Sequence, residues 1–587
     1  MWKLKNKFNL FGTNRHNIVF CFFVFLFLCI SFRIFYLQII KGNMYKIISE
    51  KQRFYNIYEY APRGLIYSSD NCILVNNKFK YILLYDSSSK SKNNLSQINV
   101  KLSKIFNRKV ELFEDKKKRY GKSTRFIDNL TLKDVFKIQE NNINLYDKIN
   151  IIKKPYRVYC FDDMTSHLTG YTSEVTFDEI KKNSSYKIGD YIGRGGIEQN
   201  YDKYIRGKNG YFQFETNAKG EQLKQTTYVL PKIGANVYST INSKLQKVSY
   251  EALKNSNTGR GAVVVLETKS GAILALLSLP SFDANKLGKI EFYKNFINKR
   301  SPFFNRTLQG CYPPGSIFKI ITFSAIVDIL NIDILDKKKC DGNFKLGNRN
   351  YVCWDKHGHG ELNIVDAMSK SCNIFFYKYA LEVGIKNLLE YSKNFYIGLK
   401  TGIDLPNEKK GFLPIIESAN TGGKHWFKGD TLSFAIGQNS LCVTPLQMAC
   451  MMSIVANKGI YYTPYIVEQI KDYNNNILYK HEQKINGMTK LSDKTWNLLH
   501  SSLIKVIETG TGWRCNIRDV KISGKTGTAQ NYHGNDHSWF VSYAPSDNPE
   551  ISIAVIVENA GSGGLSAVQI AKKIYNVYFN NIKIEKY

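Results

Sequence analysis

The hydrophobic positions of this chain fall into three regimes. Residues 17–32 are uncharged and dominated by Phe, Leu, Val, Ile and Cys, and after one interruption at Arg33 the apolar character runs on to Ile40. That stretch approaches the roughly 20 residues a membrane-spanning helix needs. From residue 41 to about 235, short apolar runs alternate with Asn-, Lys- and Ser-rich breaks. There, residues 66–75, 81–85 and 158–161 read as strands, 86–94 as a loop, and 102–119 as a charged, partly helical stretch. From about residue 240 the apolar runs lengthen. Residues 261–267 and 272–278 are near-continuous strands joined by the turn Thr268-Lys269-Ser270-Gly271. Helical patterns follow over 317–330, 364–383 and 444–456, then strands over 520–530, 537–543 and 551–558, and a last helix over 566–579. Strands at both ends of a region with helices between them predict an α+β fold, one antiparallel sheet with helices packed on it.

Composition adds two constraints. Hydrophobic content of 43% over 587 residues supports packed cores in more than one domain. The formal charge of +33 invites a nucleic-acid reading. The basic residues are scattered among Asn, Ile and Tyr with no binding signature, so nucleic acid is set aside and an anionic membrane surface or substrate preferred. Ser31-Phe32-Arg33-Ile34 offers no small-residue cleavage site, which makes the apolar stretch an uncleaved anchor. Lys3, Lys5, Lys7 and Arg15 precede it and Arg33, Lys41 and Lys46 follow it, so the charge rule leaves its orientation nearly undecided. The 11 cysteines, odd in number and irregularly spaced, do not resemble a disulfide scaffold.

The chemistry centres on Pro313-Pro314-Gly315-Ser316-Ile317-Phe318-Lys319. A serine hydroxyl needs a base within reach, and residues three apart share a helix face, so Lys319 would stand beside Ser316. Lysine serves as that base only if burial or another cation lowers its pKa. Downstream lie Ser371-Cys372-Asn373 and Lys525-Thr526-Gly527-Thr528. Gly193-Arg194-Gly195-Gly196 is no phosphate cradle, for it lacks the lysine and hydroxyl of a nucleotide loop.

The three motifs in this order resemble those of penicillin-binding proteins and serine β-lactamases. Arg63-Gly64-Leu65-Ile66, Ile197-Glu198-Gln199-Asn200-Tyr201-Asp202, Arg206-Gly207, Gly429-Asp430-Thr431 and Ile436-Gly437-Gln438 extend the resemblance to the class B penicillin-binding proteins, nearest their elongation-specific branch. Ser68-Ser69-Asp70-Asn71-Cys72 and Asn439 depart from the family pattern at a turn and at a usual glycine. The resemblance implies a single membrane helix, an elongated mixed pedestal, and a transpeptidase domain whose five-stranded antiparallel sheet is flanked by helices. Its boundaries would be a cytoplasmic tail over 1–16, an anchor over 17–40, a periplasmic pedestal of the dimerisation type over 41–238, and the transpeptidase domain over 239–587.

The implied activity is D,D-transpeptidation of peptidoglycan during elongation and shape maintenance, inhibited by β-lactams, with a possible D,D-carboxypeptidase side activity. Ser316 would form the acyl-enzyme, Lys319 accept its proton, Ser371 relay a proton to the leaving amine, and Asn373 hold Lys319 and substrate. Lys525 and Thr526 would bind the terminal carboxylate, Gly527 admit the substrate as an added strand, and Thr528 with Ser316 supply oxyanion donors. Implied partners are stem peptides, glycan derived from lipid-linked precursor, a RodA-type glycosyltransferase and other elongation-complex membrane proteins. The substrate's place sets the anchor's orientation, in the inner membrane with the catalytic domain periplasmic. Catalysis needs no cofactor. A β-lactamase and a non-catalytic β-lactam sensor or scaffold are the competing readings.

Cys340, Cys353, His359 and Cys372 offer three thiolates and an imidazole, a donor set that suits one structural zinc. The family resemblance points the same way. Asp341 could replace Cys340 and His357 could replace His359, and free buried cysteines or a disulfide is the alternative.

Overall fold

In the computed structural model, residues 10–86, 93–114, 116, 124–141, 149–216, 222–287, 301–415, 426–531, 534–561 and 564–582 are described. The chain forms two compact units, one of residues Met1–Ala61 with Lys208–Lys232, the other of Pro62–Gly207 with Ile233–Tyr587.

In the smaller unit, a helix over Leu10–Phe35 continues as a π-helical turn over Tyr36–Ile40. Its segment His16–Ile40 has mean hydropathy 2.7 and is long and apolar enough to cross a membrane. The interrupting Arg33 lies in the last turn, its guanidinium 5.7 Å from the Tyr36 ring, where a long side chain can extend toward a polar interface. A second helix, Gly42–Arg53, leads into a three-stranded antiparallel sheet of Phe54–Glu59, Gly210–Thr216 and Gln222–Val229.

In the larger unit, five antiparallel strands stand in the order Ile273–Leu279, Gly261–Glu267, Ile551–Val557, His537–Ala544, Ser523–Ala529. The near-continuous apolar runs of Ile273–Leu279, Gly261–Glu267 and Ile551–Val557 follow from burial on both faces, whereas Ser523–Ala529 is mostly polar or glycine. Pro445–Ala456, a helix buried at every position, packs against three of these strands. Ser243–Lys254 and Leu565–Val577 pack against one another and also on the sheet. Thr444 is the N-cap of the buried helix rather than its first residue, its side chain accepting from Gln447 N while Gln447 answers at Thr444 N. Ser523–Ala529 occupies the sheet's edge, so one side of the lysine-bearing strand is unpaired within that sheet.

Several sequence expectations change in detail. The stretch 66–75 is two strands, Ile66–Tyr67 and Ile73–Asp86, separated by a turn in which Ser68 N donates to Cys72 O. Asn71 and Asn439, at the two departures from the family pattern, have φ of 60° and 72°, left-handed values that asparagine tolerates best after glycine. The stretch 81–85 belongs to the longer paired strand Ile73–Asp86, and of 158–161 only Val158 and Tyr159 are strand, ending Ile149–Tyr159, while Cys160 and Phe161 turn away. Strand 520–530 shortens to Ser523–Ala529, and the last helix runs Leu565–Val577 before a π-helical turn. Of the 86–94 loop, residues 87–92 lie outside the described residues, as do most of 115–123 at the end of the 102–119 stretch; the helix Asn93–Phe106 covers that stretch's start.

The two distant segments Arg63–Ile66 and Ile197–Asp202 meet in the core. Arg63 pairs with Glu198 at 2.6 Å and Asp202 at 2.8 Å, and Arg157 reaches the other Glu198 oxygen at 2.5 Å. Tyr186 Oη and Gly193 N donate to Asp202, so this buried charge cluster is closed by hydrogen bonds.

Candidate active site

The nucleophile turn is built backwards from its constraints. Pro313 and Pro314 cannot continue a ladder or a helix behind them, and Gly315 takes φ of 56°. A Cβ on Gly315 would stand 2.3 Å from Thr528 O, so only glycine lets the turn lie against the Ser523–Ala529 strand. Gly315 N donates to Gly437 O at 2.9 Å, and Trp539 Nε1 donates to Pro313 O at 3.2 Å. A 3-10 turn over Gly315–Phe318 then carries partly buried Ser316 into the helix Lys319–Leu330, a division the single predicted helix 317–330 did not contain.

Lys319 is fully buried. Its Nζ donates to Ser371 O at 2.8 Å and Asn373 Oδ1 at 2.7 Å, lies 3.4 Å from Ser371 Oγ, and sits 5.5 Å from the Phe376 ring. Lys525, equally buried, donates to Ser371 Oγ at 2.9 Å and Thr526 O at 3.1 Å. Burial brings Lys319 down to about 8, opposed by the thiols of Cys372 and Cys353. Burial and then the Lys319 charge hold Lys525 well below an ordinary lysine. Ser371 Oγ therefore stands between two amines that burial drives toward neutrality. Among the described residues no hydrogen bond joins Lys319 to Ser316.

Ser371 reaches this position because the predicted helix 364–383 is two helices, Ile364–Ser369 and Asn373–Val383. Ser371, at φ of 51°, breaks them apart, a backbone state that costs a non-glycine residue about 1–3 kcal/mol and concentrates at functional sites. Thr526 Oγ1 lies 2.6 Å from Thr511 Oγ1, a partner sequence motifs did not indicate. Gly527 has a nearer reason to be glycine than the passage of substrate, for a Cβ there would meet Ile317 and Pro314 O at 2.9 and 3.1 Å. Thr528, two residues along the same strand from Thr526, lies beside the turn through the Gly315 contact.

Beside Ser371 and Asn373, the ligand atoms of Cys340, Cys353, His359 and Cys372 lie within 4.8 Å of one another. Two short hairpins assemble them. Cys340 ends the strand Lys338–Cys340 paired with Gly360–Leu362, Cys353 follows Arg349–Val352, and Cys372 caps the helix Asn373–Val383. Cys340 Sγ and Cys353 Sγ are each 3.6 Å from His359 Nδ1. Sulfur and nitrogen ligands at about 2.3 and 2.0 Å from a tetrahedral ion stand about 3.6 Å apart, so the donor set and its spacing fit a metal. Asp341 is exposed and paired with Lys339, and His357 is exposed, so neither belongs to the cluster.

One feature near the nucleophile was not legible in the cysteine count. Cys311 and Cys442 form a disulfide that ties the segment before Ser316 to the segment before the buried helix. It is accompanied by Tyr312 N to Val443 O at 3.0 Å and Val443 N to Tyr312 O at 2.9 Å. Tyr312 Oη in turn donates to Glu558, which also pairs with Arg306 at 2.9 Å.

Comparison with known proteins agrees with this geometry. Residues 261–576 match the family described as "Penicillin binding protein transpeptidase domain", and residues 58–239 the "Penicillin-binding Protein dimerisation domain". The peptidoglycan D,D-transpeptidase MrdA of Acinetobacter baumannii is 30% identical over 94% of this chain and 85% of its own length. MrdA of Haemophilus influenzae is 29% identical over 94% of this chain and 90% of its own length. Among solved structures, a complex between PBP2 and MreC from Helicobacter pylori superposes with a TM-score of 0.78 at 24% identity, covering 90% of this chain and 99% of that chain, a likeness of fold. The chain belongs to the penicillin-binding protein transpeptidase family, with the dimerisation domain of its class B members preceding the transpeptidase domain.

Proposed function

We propose that the chain is a peptidoglycan D,D-transpeptidase of cell elongation, working from the inner membrane through a periplasmic domain. The observation that carries this reading is Ser371 Oγ placed between the buried amines of Lys319 and Lys525, beside the turn that bears Ser316. Ser316 Oγ attacks the carbonyl between two terminal D-alanines, and Lys319, held at about 8 by burial, takes the hydroxyl proton. The C–N bond then breaks. Ser371 passes a proton to the departing amine of D-alanine and is resupplied through the lysines it contacts. Backbone N–H groups of Ser316 and Thr528 are the oxyanion donors, each worth about 3 kcal/mol. Lys525 and Thr526 face the terminal carboxylate, and the unpaired edge of Ser523–Ala529 accepts the stem peptide as an added strand. The amine of a second stem takes the acyl group and frees Ser316.

The pedestal is assigned to 41–238 and the transpeptidase domain to 239–587, with the His16–Ile40 helix as anchor. The Cys340–Cys353–His359–Cys372 cluster is the place of one structural zinc, which would tie both hairpins to Cys372 and so hold Ser371 and Asn373 in place. The Helicobacter pylori complex named above supports an MreC-type partner, and a RodA-type glycosyltransferase is the partner the family resemblance implies. The test is release of D-alanine from a stem pentapeptide with an acceptor amine present. Wild type should release it and form the cross-linked dimer, and Ser316→Ala should do neither; a variant that keeps wild-type turnover contradicts the assignment.

A further inference from the structure

Thr526, on the strand Ser523–Ala529, is a buried side chain held at both of its branches. Its methyl packs on Gly564, the residue that caps the helix Leu565–Val577. A Cβ at Gly564 would stand 3.1 Å from both Thr526 Cβ and Cγ2, so the close approach of this methyl depends on glycine. The Thr526 hydroxyl meets Thr511, with 2.6 Å between the two Oγ1 atoms. A β-branched side chain with its methyl packed and its oxygen bonded is confined to one χ1.

Thr511 is fixed by its backbone. It lies in the turn that follows the helix Asp493–Glu508. Thr511 N donates to Ser369 O at 3.3 Å, and Gly512 N donates to Val506 O at 2.9 Å. A Cβ on Gly510 would stand 2.5 Å from Ser369 O and Oγ, so the turn lies directly on Ser369. Ser369 ends the helix that precedes Ser371, and its Oγ donates to Lys505 O at 3.2 Å. Lys505 Nζ pairs with Asp366 of the same helix at 2.5 Å. The helix that brings Ser371 to the site therefore also sets the Thr511 hydroxyl against Thr526.

The chemistry of the ligand fixes the direction of the bond. An ionised carboxylate only accepts, so a Thr526 hydroxyl that binds one must give it its proton. The bond between the two threonines then runs from Thr511 Oγ1–H to Thr526 Oγ1, and a hydroxyl that accepts one hydrogen bond donates the next more strongly. Burial and the Lys319 charge hold Lys525 well below an ordinary lysine, which weakens it as a counter-charge and puts more of the recognition on the hydroxyl. We propose that Thr511 is a positioning residue for substrate, donating to Thr526 Oγ1 and so aiming the Thr526 proton at the terminal carboxylate of a stem peptide or a β-lactam. This rests on the transpeptidase reading of Thr526. A carboxylate remote from the breaking bond is held alike before and during the reaction, so the relay acts on binding rather than on the chemical step.

The experiment uses the full chain in detergent as wild type, Thr511→Val, Thr511→Ala and Thr511→Ser. Second-order acylation is measured with a penicillin and with its methyl ester, whose carboxylate is masked, and D-alanine release from a stem pentapeptide gives KM and kcat. Thr511→Val and Thr511→Ala should each slow acylation by the acid about threefold or more and raise the pentapeptide KM by a similar factor, the size of one neutral hydrogen bond. Their kcat, and their acylation by the ester, should stay within about twofold of wild type, and Thr511→Ser should stay within about twofold on every readout. Unchanged acylation by the acid in both hydroxyl-free variants would overturn the proposal. So would equal losses with acid and ester, a fall in kcat at constant KM, or a Thr511→Ser variant as impaired as Thr511→Val. Wild type that penicillin does not acylate sinks the transpeptidase reading and this proposal with it, whereas acylated wild type with indifferent Thr511 variants sinks the proposal alone.

Discussion

Replacing Cys311 and Cys442 together by serine isolates what the disulfide does. Their Cα atoms are 5.4 Å apart, inside the range of about 4.4–6.8 Å that a disulfide spans without moving backbone. The closed loop has a sequence separation of 131, for which chain-entropy arithmetic gives a limit of about 5 kcal/mol at room temperature. Engineered and native bridges commonly deliver less, so the expected loss is about 2–5 kcal/mol. Cys311 is exposed and Cys442 half-buried, so the serines add little packing loss of their own. The paired backbone bonds between Tyr312 and Val443 remain, so folded geometry at Ser316 should persist and acylation should change by less than about twofold. The assay is guanidinium unfolding of the full chain in detergent, followed by tryptophan fluorescence, with peptide mapping to establish which cysteines are bridged. A loss below about 1 kcal/mol with the bridge mapped in wild type would refute the loop-closure argument.

Three further outcomes follow from the geometry. Protonated Lys319 cannot accept the Ser316 proton, and burial places it at about 8, so acylation by penicillin should be full above that pH and fall about tenfold per pH unit below it; a flat profile from about pH 6 to 9 contradicts Lys319 as base. Glu198→Gln leaves Arg157 and part of Arg63 buried without their carboxylate and should lower stability in urea by about 3–5 kcal/mol, against less than about 1 kcal/mol if the cluster is dispensable. Purified protein should carry one zinc by elemental analysis, and chelation should lower the melting temperature and slow acylation together; protein without zinc whose Cys340, Cys353 and Cys372 map as disulfides would end the metal assignment.

Much of this site was legible because its chemistry is local. Lys319 follows Ser316 by three residues, the Lys525–Thr528 run lies in one strand, and the four candidate metal ligands sit within one stretch before and at Ser371-Cys372-Asn373. What periodicity could not give was the break in the 364–383 helix, because apolar spacing continues across Ser371 while its backbone turns left-handed. The 66–75 region was legible but overrun, since Ser68-Ser69-Asp70-Asn71 are turn formers between two short apolar runs and Ser68 and Cys72 close that turn. Pairings between distant segments left no local trace at all. Cys311 finds Cys442, Arg63 finds Glu198 and Gly315 finds Gly437 only through the sheet and helices that bring them together. Gly527 shows how a correct residue can carry an incomplete reason, for its missing side chain accommodates Pro314 and Ile317 as well as any substrate.

The central claim is that Ser316 is an acylated nucleophile held by a transpeptidase site. Its most direct test follows fluorescent penicillin on the purified full chain over hours, with Ser316→Ala alongside. The account predicts a covalent label on wild type that clears slowly and is absent from the variant. Label that clears within seconds would mark a β-lactamase, and well-folded wild type that takes no label would contradict the catalytic assignment altogether.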